Sequence, residues 1–377
     1  MMVDLLSYGP LEGVRILEIE SLAPAPFACM VLSQLGAEVL TVRRPRLHDA
    51  ADLLGRTGDV HDPLQQGRAS ITRDLADPRD RDDVLGLVAA CDVFVEGFRP
   101  GVAERLGLGP EVLRAINPGL VYTRMTGWGQ QGPRSSTAGH DINYLALTGA
   151  LDAIGQAGGP PTPPLNLVAD FGGGGMLMVI GVLAALHSRQ RDGLGDVVDA
   201  AMVDGVASLT SFLHGMSASG SWSPGRGTNL LDGSAPFYTT YATSDGLYVA
   251  VGAVEDRFYS ELVKGLDLVE AELPDRWNRD SWPEVGAVFD RRFMTRTRAR
   301  WDEIFAGTDA CVTPVLALHE AAHDDHLLSR ETFVPQSPFP TAAPRFERHP
   351  HTQTLDEIES SDLLASWRRA PRVTSRT

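Results

Sequence analysis

The stretch "VRILEIESLAPAPFACMVLSQLGAEVLTV" at residues 14–42 decides the fold. Its first and last segments, 14–20 and 37–42, are rich in branched apolar residues, which is typical of buried strands. Between them, residues 27–36 have the apolar spacing of a helix. A strand, a helix and a second strand in this order predict a βαβ unit and therefore a parallel sheet.

The alternation of strands and helices continues through the first half of the chain. Residues 91–97 and 120–128 are predicted strands, and residues 80–91 have helical spacing with an acidic first turn. Residues 195–209 give another strand followed by a helix. The turn after the first strand reads "SLAPAP" rather than G-x-G-x-x-G, so a nicotinamide or flavin site there has little support.

The pattern changes in the second half, which indicates a second domain. We expect a large α/β domain over residues 1–205, then a Gly-, Ser- and Pro-rich linker over 206–234. Two β-rich runs around Asp245-Gly246 predict a hairpin, so residues 235–309 are expected to form a smaller α+β domain. Residues 310–377 are expected to supply one more strand, at "CVTPVLAL", and to return to the large domain before a C-terminal tail.

Composition excludes several classes of protein. The chain has 377 residues and a net charge of −16, and Lys264 is its single lysine, so a basic nucleic-acid surface is not expected. Cys29, Cys91 and Cys311 have no paired spacing, which favours a reducing compartment without disulfides. The N-terminus lacks an export signal, and the apolar run 176–186 is about half of a ~20-residue membrane span. We expect a cytoplasmic protein that does not bind membranes.

The pentapeptide "HEAAH" at residues 319–323 matches the H-E-x-x-H pattern of zinc hydrolases. In such enzymes the two histidines lie one helical turn apart and bind the metal, while the glutamate acts as base. Here the motif follows a predicted strand directly, and no third ligand is evident from the sequence. The alternative is an exposed, polar helix start, and we expect no metal.

Asp170 is followed by four glycines and then by a long apolar helix. Taken alone, it could simply cap this helix, and His140 could be a structural histidine. The glycine run is harder to explain, because each glycine weakens a helix by ~1 kcal/mol relative to alanine. Close approach of a ligand or of a partner backbone would offset that cost, and N–H groups at a helix start favour nearby negative charge.

Several blocks together resemble the family III CoA-transferases, also described as CaiB/BaiF-like proteins. They include residues 9–45, "DVFVEGFRPGVAERLGLGPE", "TGWGQQGPRSSTAGHDINY" and "PPLNLVADFGGGGM", and the resemblance spans nearly the whole chain. It implies an interlocked homodimer of two subunits, each with a Rossmann-like large domain and a small domain. The active site would lie between the large domain of one subunit and the small domain of the other.

The resemblance also implies racemisation at C2 of 2-methyl-branched acyl-CoA thioesters, and it assigns the catalytic residues. His140 and Asp170 match the pair that removes and returns the proton on opposite faces of one carbon. The Asp141 backbone N–H and Asn166 match donors to the enolate oxygen. In the small domain, Tyr238 and the catalytic Glu255 match residues that orient this site. Proton transfer of this kind needs no cofactor beyond the CoA of the substrate.

For the CoA moiety the resemblance implies contacts from Arg44, Arg99 and Arg68. Arg44 and Arg99 follow predicted strands, at the sheet edge where ligands usually bind. Relatives commonly carry an N-R-x-K-R run before the third strand, whereas this chain reads "LQQGRASI". Arg68 is the basic residue that remains, so the phosphate contacts are expected to differ from those of the family.

Two other functions remain open at this point. In a CoA transfer between carboxylic acids, Asp170 would act as a nucleophile and form an acyl anhydride with the enzyme. His140 discriminates the two reactions, because a racemase needs a base there and a transferase does not. The altered "LQQGRASI" segment also motivates a CoA-binding protein without activity, although the whole set of His, Asp, Asn and Glu is present.

Overall fold

The computed structural model describes residues 9–45, 63–65, 67–335, 337, 339–349 and 360–369. The chain divides into two compact units. The first comprises residues 1–148, 165–210 and 339–377, and the second comprises residues 149–164 and 211–338. Each unit has a hydrophobic core of its own.

The first unit is built on a six-stranded sheet in which all strands run parallel, in the order β3-β2-β1-β4-β5-β6. This is the order of a doubly wound Rossmann-like sheet, in which ligands bind outside the carboxyl ends of the strands. The prediction of an α/β fold with a parallel sheet is confirmed. The strands are β1 (Arg15–Ile19), β2 (Glu38–Arg43), β3 (Ala69–Thr72), β4 (Val93–Glu96), β5 (Val121–Thr126) and β6 (Val197–Ala201).

Helices pack against this sheet, and its central strands are buried along almost their whole length, including the polar residues that they carry. Ile16, Leu17, Phe94 and Tyr122 are fully buried. The helices of this unit are α1 (Pro24–Gln34), α2 (Pro78–Val88), α3 (Val102–Arg105), α4 (Pro110–Ile116), α5 (Asp141–Leu147), a π-helix (Leu167–Met176), α6 (Leu177–Asp192) and α7 (Met202–Leu209).

The glycine run lies inside the π-helix and packs against helices of the same unit. A Cβ added at Gly173 would lie 2.9 Å from the Val206 backbone nitrogen in α7. At Gly175 it would lie 2.5 Å from the Phe27 ring in α1. The cost of the glycines in a helix is therefore offset by close packing of α1 and α7 against it. The backbone that approaches the glycine run is that of α7 in this chain, rather than a ligand or the backbone of a partner.

The π-helix continues into α6 without a break, which gives one helix of 26 residues, Leu167–Asp192. An 18-residue window of this helix has a mean hydropathy of 1.8, so the helix is long and apolar enough to cross a membrane by length and composition. The sequence predicts a shorter apolar helix, because the four glycines before it are not expected to be helical. Core helices of globular proteins also meet these criteria, and Met178, Val179 and Val182 of this helix are buried within the unit.

The chain returns to the first unit near its C-terminus. Helix α14 (Ser360–Arg369) packs beside β3, where the Ser360 hydroxyl donates to the Ser70 carbonyl at 2.6 Å. The fully buried Trp367 donates from its indole nitrogen to Glu38 at 2.7 Å. The sequence does not predict this helix, because its apolar residues follow a Pro-rich segment expected to be irregular.

The second unit contains a three-stranded antiparallel sheet in the order β7-β8-β9, formed by β7 (Tyr238–Ala242), β8 (Tyr248–Gly252) and β9 (Val312–Pro314). The hairpin predicted at Asp245-Gly246 is confirmed, since Gly246 has a φ of 76° between β7 and β8. The helices are α8 (Ser211–Ala218), α9 (Asp256–Gly265), α10 (Trp282–Phe293), α11 (Arg298–Phe305), α12 (Leu318–Ala321) and α13 (Asp325–Ser329). Aromatic residues fill its core.

The unit boundaries differ from the predicted ones in three places. Residues 310–338 belong to the second unit rather than to a return segment, because β9 pairs with β8. Residues 211–218 of the expected linker form α8, and residues 149–164 also join the second unit. There Arg226 binds both Asp152 and the Gly159 carbonyl. Pairing between distant segments set these boundaries, and local composition does not reveal such pairing.

Candidate active site

Arg44 and Arg99 lie at the carboxyl edge of the parallel sheet. Arg44 directly follows β2, and Arg99 follows β4 after a short turn. Both side chains are exposed. The two strands flank β1, so the arginines border the switch point at which the strand order reverses. This is the position at which a guanidinium can meet a phosphate group.

Glu96 anchors the turn that carries Arg99. Its side chain accepts a hydrogen bond from the Phe98 backbone N–H at 2.7 Å. Burial raises the pKa of Glu96 to about 7, although the Phe98 N–H and Arg124 both oppose the rise. The carboxyl group therefore holds the start of the Arg99 turn at the end of β4.

Arg68 does not join Arg44 and Arg99 at this edge. It precedes β3, and its side chain is fully buried in an ion pair of 2.5 Å with Glu18 of β1. Glu18 also accepts from the Thr41 hydroxyl at 2.7 Å. The expected contact of Arg68 with CoA is not supported, because a buried ion pair leaves no exposed guanidinium for a phosphate.

His140 and Asp141 stand at the start of α5. His140 is its exposed N-cap residue, and its backbone N–H donates to the Asn143 side chain at 3.0 Å. Asp141 is the first residue of the helix, where the backbone N–H is not used by the helical hydrogen-bond pattern. This N–H lies at the positive end of the helix dipole, which suits a developing negative charge.

The Asp141 side chain joins α5 to the π-helix. One of its oxygens accepts from the Ala169 N–H at 2.9 Å and from the Asp170 N–H at 2.8 Å. Asp141 is almost fully buried. Asp141 directly follows His140 and accepts a hydrogen bond from the Asp170 N–H. The backbone of Asp170 is therefore held in a fixed position relative to that of His140.

Asn166 is the N-cap residue of the π-helix, and Asp170 lies in its first turn. The Asn166 amide donates to the Asp170 carboxylate at 3.4 Å. Burial raises the pKa of Asp170, and the charge of Asp141 raises it further; the hydrogen bond from Asn166 and the charge of His140 oppose this. A half-buried carboxylate with a raised pKa is suited to exchange protons. The structure thus brings His140, Asp141, Asn166 and Asp170 together.

Tyr238 and Glu255 both lie in the second unit. Tyr238 opens β7 and pairs with Gly252, the last residue of β8. Glu255 follows three residues later as the exposed N-cap of α9. Because Tyr238 is the register partner of Gly252 and Glu255 is three residues beyond it, the two predicted residues lie near the same end of the small sheet.

The glutamate of "HEAAH" is engaged in an ion pair in this structure. Glu320 binds the Arg298 guanidinium through both carboxylate oxygens, and it also accepts from the Ala317 N–H. Helix α12 ends at Ala321, so His319 and His323 do not share one continuous helix. Within the described ranges, no group of three His, Cys, Asp or Glu side chains could hold a metal ion.

Two contacts beside predicted site residues, one in each unit, have no signal in the sequence. The Asp141 side chain reaches backbone groups 28 and 29 residues away. Arg276 binds the backbone beside Glu255 from 22 residues away. An aspartate at a helix start predicts capping of its own helix, and nothing in a linear sequence predicts a bond to another one.

The chain belongs to the CoA-transferase family III, whose model matches residues 11–357. This is the family that the sequence blocks resemble. A solved structure of a CAIB/BAIF family protein from Brucella suis has the same fold. It covers 96% of this chain with a TM-score of 0.78 and 26% sequence identity, and all of that chain is covered.

Two similar proteins carry a more specific name. The mouse protein named Alpha-methylacyl-CoA racemase is 48% identical over 343 residues, which cover 90% of this chain and 87% of the mouse protein. The human protein of the same name is 45% identical over 363 residues, which cover 92% of each chain.

Proposed function

We propose that this protein is an isomerase that racemises 2-methyl-branched acyl-CoA thioesters at C2, a reaction of lipid metabolism. The similarity to two racemases over about nine-tenths of the chain supports the substrate class. The observation that carries the mechanism is the convergence of His140, Asp170, Asn166 and the N–H of Asp141. This arrangement supplies two proton carriers and two hydrogen-bond donors.

The proton beside the thioester carbonyl is removed by one carrier and returned by the other on the opposite face. For one hand of the substrate, His140 is the base and Asp170 the acid, and for the other hand the roles exchange. Each acid–base contact contributes ~10²–10⁴-fold to the rate. The half-buried Asp170 has a raised pKa, which brings it closer to the operating pH than an ordinary carboxyl group.

The enolate formed between the two transfers carries negative charge on the thioester oxygen. The Asp141 N–H and the Asn166 amide stabilise this oxygen, and the start of α5 adds its dipole. Arg44 and Arg99 hold the phosphates of CoA at the carboxyl edge of the sheet. Tyr238 and Glu255 orient the reacting groups from the second unit.

The reaction requires no cofactor, since each step transfers a proton. Treatment with EDTA should leave the activity unchanged, and zinc added afterwards should not increase it. Loss of activity in EDTA that zinc restores would contradict this part of the proposal.

The protein acts as a homodimer, and each site combines the first unit of one subunit with the second unit of its partner. Support comes from the large apolar side chains that the first unit leaves exposed. A dimer interface would bury them. They include Leu22, Ile142, Leu147, Leu165, Leu167, Met176, Ile180 and Leu209. We place the dimer in the cytoplasm.

Transfer of CoA between two carboxylic acids is the second candidate, since the family takes its name from that reaction. Asp170 could serve as its nucleophile. A transfer does not require His140 as a base, and the placement of His140 beside Asp170 therefore favours the isomerase.

The deciding experiment uses a pure (2R)-2-methylacyl-CoA in D₂O without any acceptor acid. The proposal expects loss of configuration together with deuterium at C2, because the proton that leaves exchanges with solvent. Retention of configuration and of the C2 proton, followed by CoA transfer when an acceptor acid is added, would establish the transferase instead.

A further inference from the structure

Arg276 is a buried cation in the second unit to which the proposed mechanism assigns no role. It lies in the connection between α9 and α10, and its side chain is 6% exposed. Burying a guanidinium is unfavourable unless hydrogen bonds and opposite charge replace its water. The partners that compensate Arg276 therefore show what the residue holds in place.

Those partners are the backbone and side chain immediately around Glu255. One terminal nitrogen of Arg276 donates to the Val254 carbonyl at 2.9 Å and to the Ala253 carbonyl at 3.4 Å. The other terminal nitrogen donates to the Asp256 carboxylate. The guanidinium thus bridges the residues on both sides of Glu255, the exposed N-cap of α9.

The guanidinium is itself fixed by three aromatic rings. Its central carbon lies 4.4 Å from the Trp277 ring centre, 4.6 Å from that of Tyr259 and 5.3 Å from that of Phe237. The Tyr259 N–H donates to the Glu255 carbonyl at 2.9 Å, and Phe237 directly precedes Tyr238. Desolvated cation–π contacts of this kind restrain the plane of the guanidinium.

We infer that Arg276 is the positioning residue of Glu255: its guanidinium sets where the Glu255 carboxylate stands without touching the substrate. The inference rests on the proposed function, in which Glu255 orients the reacting groups. A carboxylate on an exposed N-cap has few contacts of its own, so its position depends on the backbone that Arg276 clamps.

Lysine cannot replace this arrangement. A guanidinium donates in fixed directions to several acceptors at once and stacks on rings, whereas an ammonium is a compact point charge. Arg276→Lys keeps the charge and loses the bridge between the Val254 carbonyl and Asp256. The variant therefore tests position rather than charge.

The experiment compares Arg276→Lys with Arg292→Lys, alone and combined with Glu255→Ala. Arg292 of α10 is the control: its guanidinium binds backbone just beyond the other end of α9, where it donates to the Asp267 carbonyl at 2.7 Å and also contacts the Leu266 carbonyl. Full-length variants are assayed for kcat and KM with a (2R)-2-methylacyl-CoA. Thermal unfolding and dimer content are recorded for each.

Arg276→Lys should lower kcat by about 10-fold, in the range of residues that orient a functional group, with KM changed less than about twofold. In the Glu255→Ala background the same substitution should cost less than about twofold, because the group it positions is gone. Arg292→Lys should lower the melting temperature without a comparable loss of kcat.

Four results would overturn the inference. If Arg276→Lys lowers kcat as much in the Glu255→Ala background as in the wild type, Arg276 acts on the fold alone. A decrease of kcat in Arg292→Lys equal to that in Arg276→Lys would show the same. If Arg276→Lys does not fold, Asp256→Ala removes one acceptor of the guanidinium and should lower kcat several-fold; full activity of this variant would count against the inference. Full activity of Glu255→Ala would instead overturn the proposed role of Glu255, and the inference with it.

Discussion

At the residue scale, His140 and Asp170 occupy different surroundings although they share one task. His140 is an exposed N-cap, whereas Asp170 is half-buried on the π-helix and has a raised pKa. If they face opposite sides of the substrate carbon, each removes the C2 proton from one hand only. A substitution of either residue should therefore act unequally on the two epimers.

The expected result for His140→Ala is a loss of C2 deuterium exchange chiefly from the hand that His140 deprotonates. Asp170→Ala should lose exchange chiefly from the other hand, and each variant should lose ~10²-fold or more of racemisation. Asn166→Ala removes an enolate donor and should slow both hands alike by ~10²-fold. NMR of each pure epimer in D₂O measures this. Equal losses for both hands in His140→Ala would favour Asp170 as a nucleophile.

Asp141 provides a pH test of the same site. Burial is the main cause that raises the pKa of Asp170, and the charge of Asp141 adds to it. Asp141→Asn removes this charge and keeps a side-chain oxygen for the Ala169 and Asp170 N–H groups. The pKa of Asp170 should fall, so its carboxylate persists to lower pH. The acid limb of the exchange that uses Asp170 as base should then move to lower pH.

The matched control for this measurement is Asp192→Asn at the exposed far end of α6, which should leave the acid limb in place. Exchange rates of the relevant epimer are recorded across the acidic range for both variants. If the acid limb stays fixed or moves to higher pH in Asp141→Asn, the charge of Asp141 does not raise the pKa of Asp170.

At the element scale, the π-helix depends on close contact with α7. A Cβ added at Gly205 of α7 would lie 1.8 Å from the Gly173 carbonyl oxygen, a distance that requires the two helices to separate. The displaced helix carries Asp170. Packing at this contact thus connects the stability of the first unit to the position of its candidate carboxylate.

Gly205→Ala should destabilise the protein by about 1–3 kcal/mol through overpacking and should also reduce activity. Gly86→Ala in α2 is the control, because a Cβ there meets nothing within 4 Å. It should stabilise the protein by about 0.5–1 kcal/mol, since alanine is the better helix former. Denaturant unfolding and assay of both variants check this. A Gly205→Ala variant as stable and active as wild type would show that the helices are not constrained there.

At the scale of the whole molecule, the proposed dimer makes a specific prediction about mixed subunits. In a heterodimer of His140→Ala and Glu255→Ala chains, one shared site carries both changes and the other carries neither. Refolding equal amounts together should restore about one quarter of wild-type activity, because half of the dimers are mixed and each has one intact site. Each variant refolded alone is the control.

If each site were formed within a single chain, every site in the mixture would keep one substitution. The mixture would then be no more active than the average of its components. Sedimentation of the wild-type protein supplies the second readout, and an active monomer would refute the shared site.

Local patterns predict much of this protein. The apolar runs and helical spacing of residues 14–42 predict β1, α1 and β2, and Asp245-Gly246 predicts the hairpin of the second unit. These elements follow from short-range sterics and from alternation, which a linear sequence records directly. The blocks around His140 and Asp170 also indicated the family, because they are long and specific.

The tertiary structure alone decided other features, each of which depends on segments distant in sequence. The glycine run serves contact with α1 and α7, β9 belongs to the small sheet, and Arg68 is withdrawn into an ion pair with Glu18. Asp141 and Arg276 likewise act on backbone that other segments bring to them. The physical reason is common to all five: a side chain's partners are set by packing, and packing depends on the whole fold.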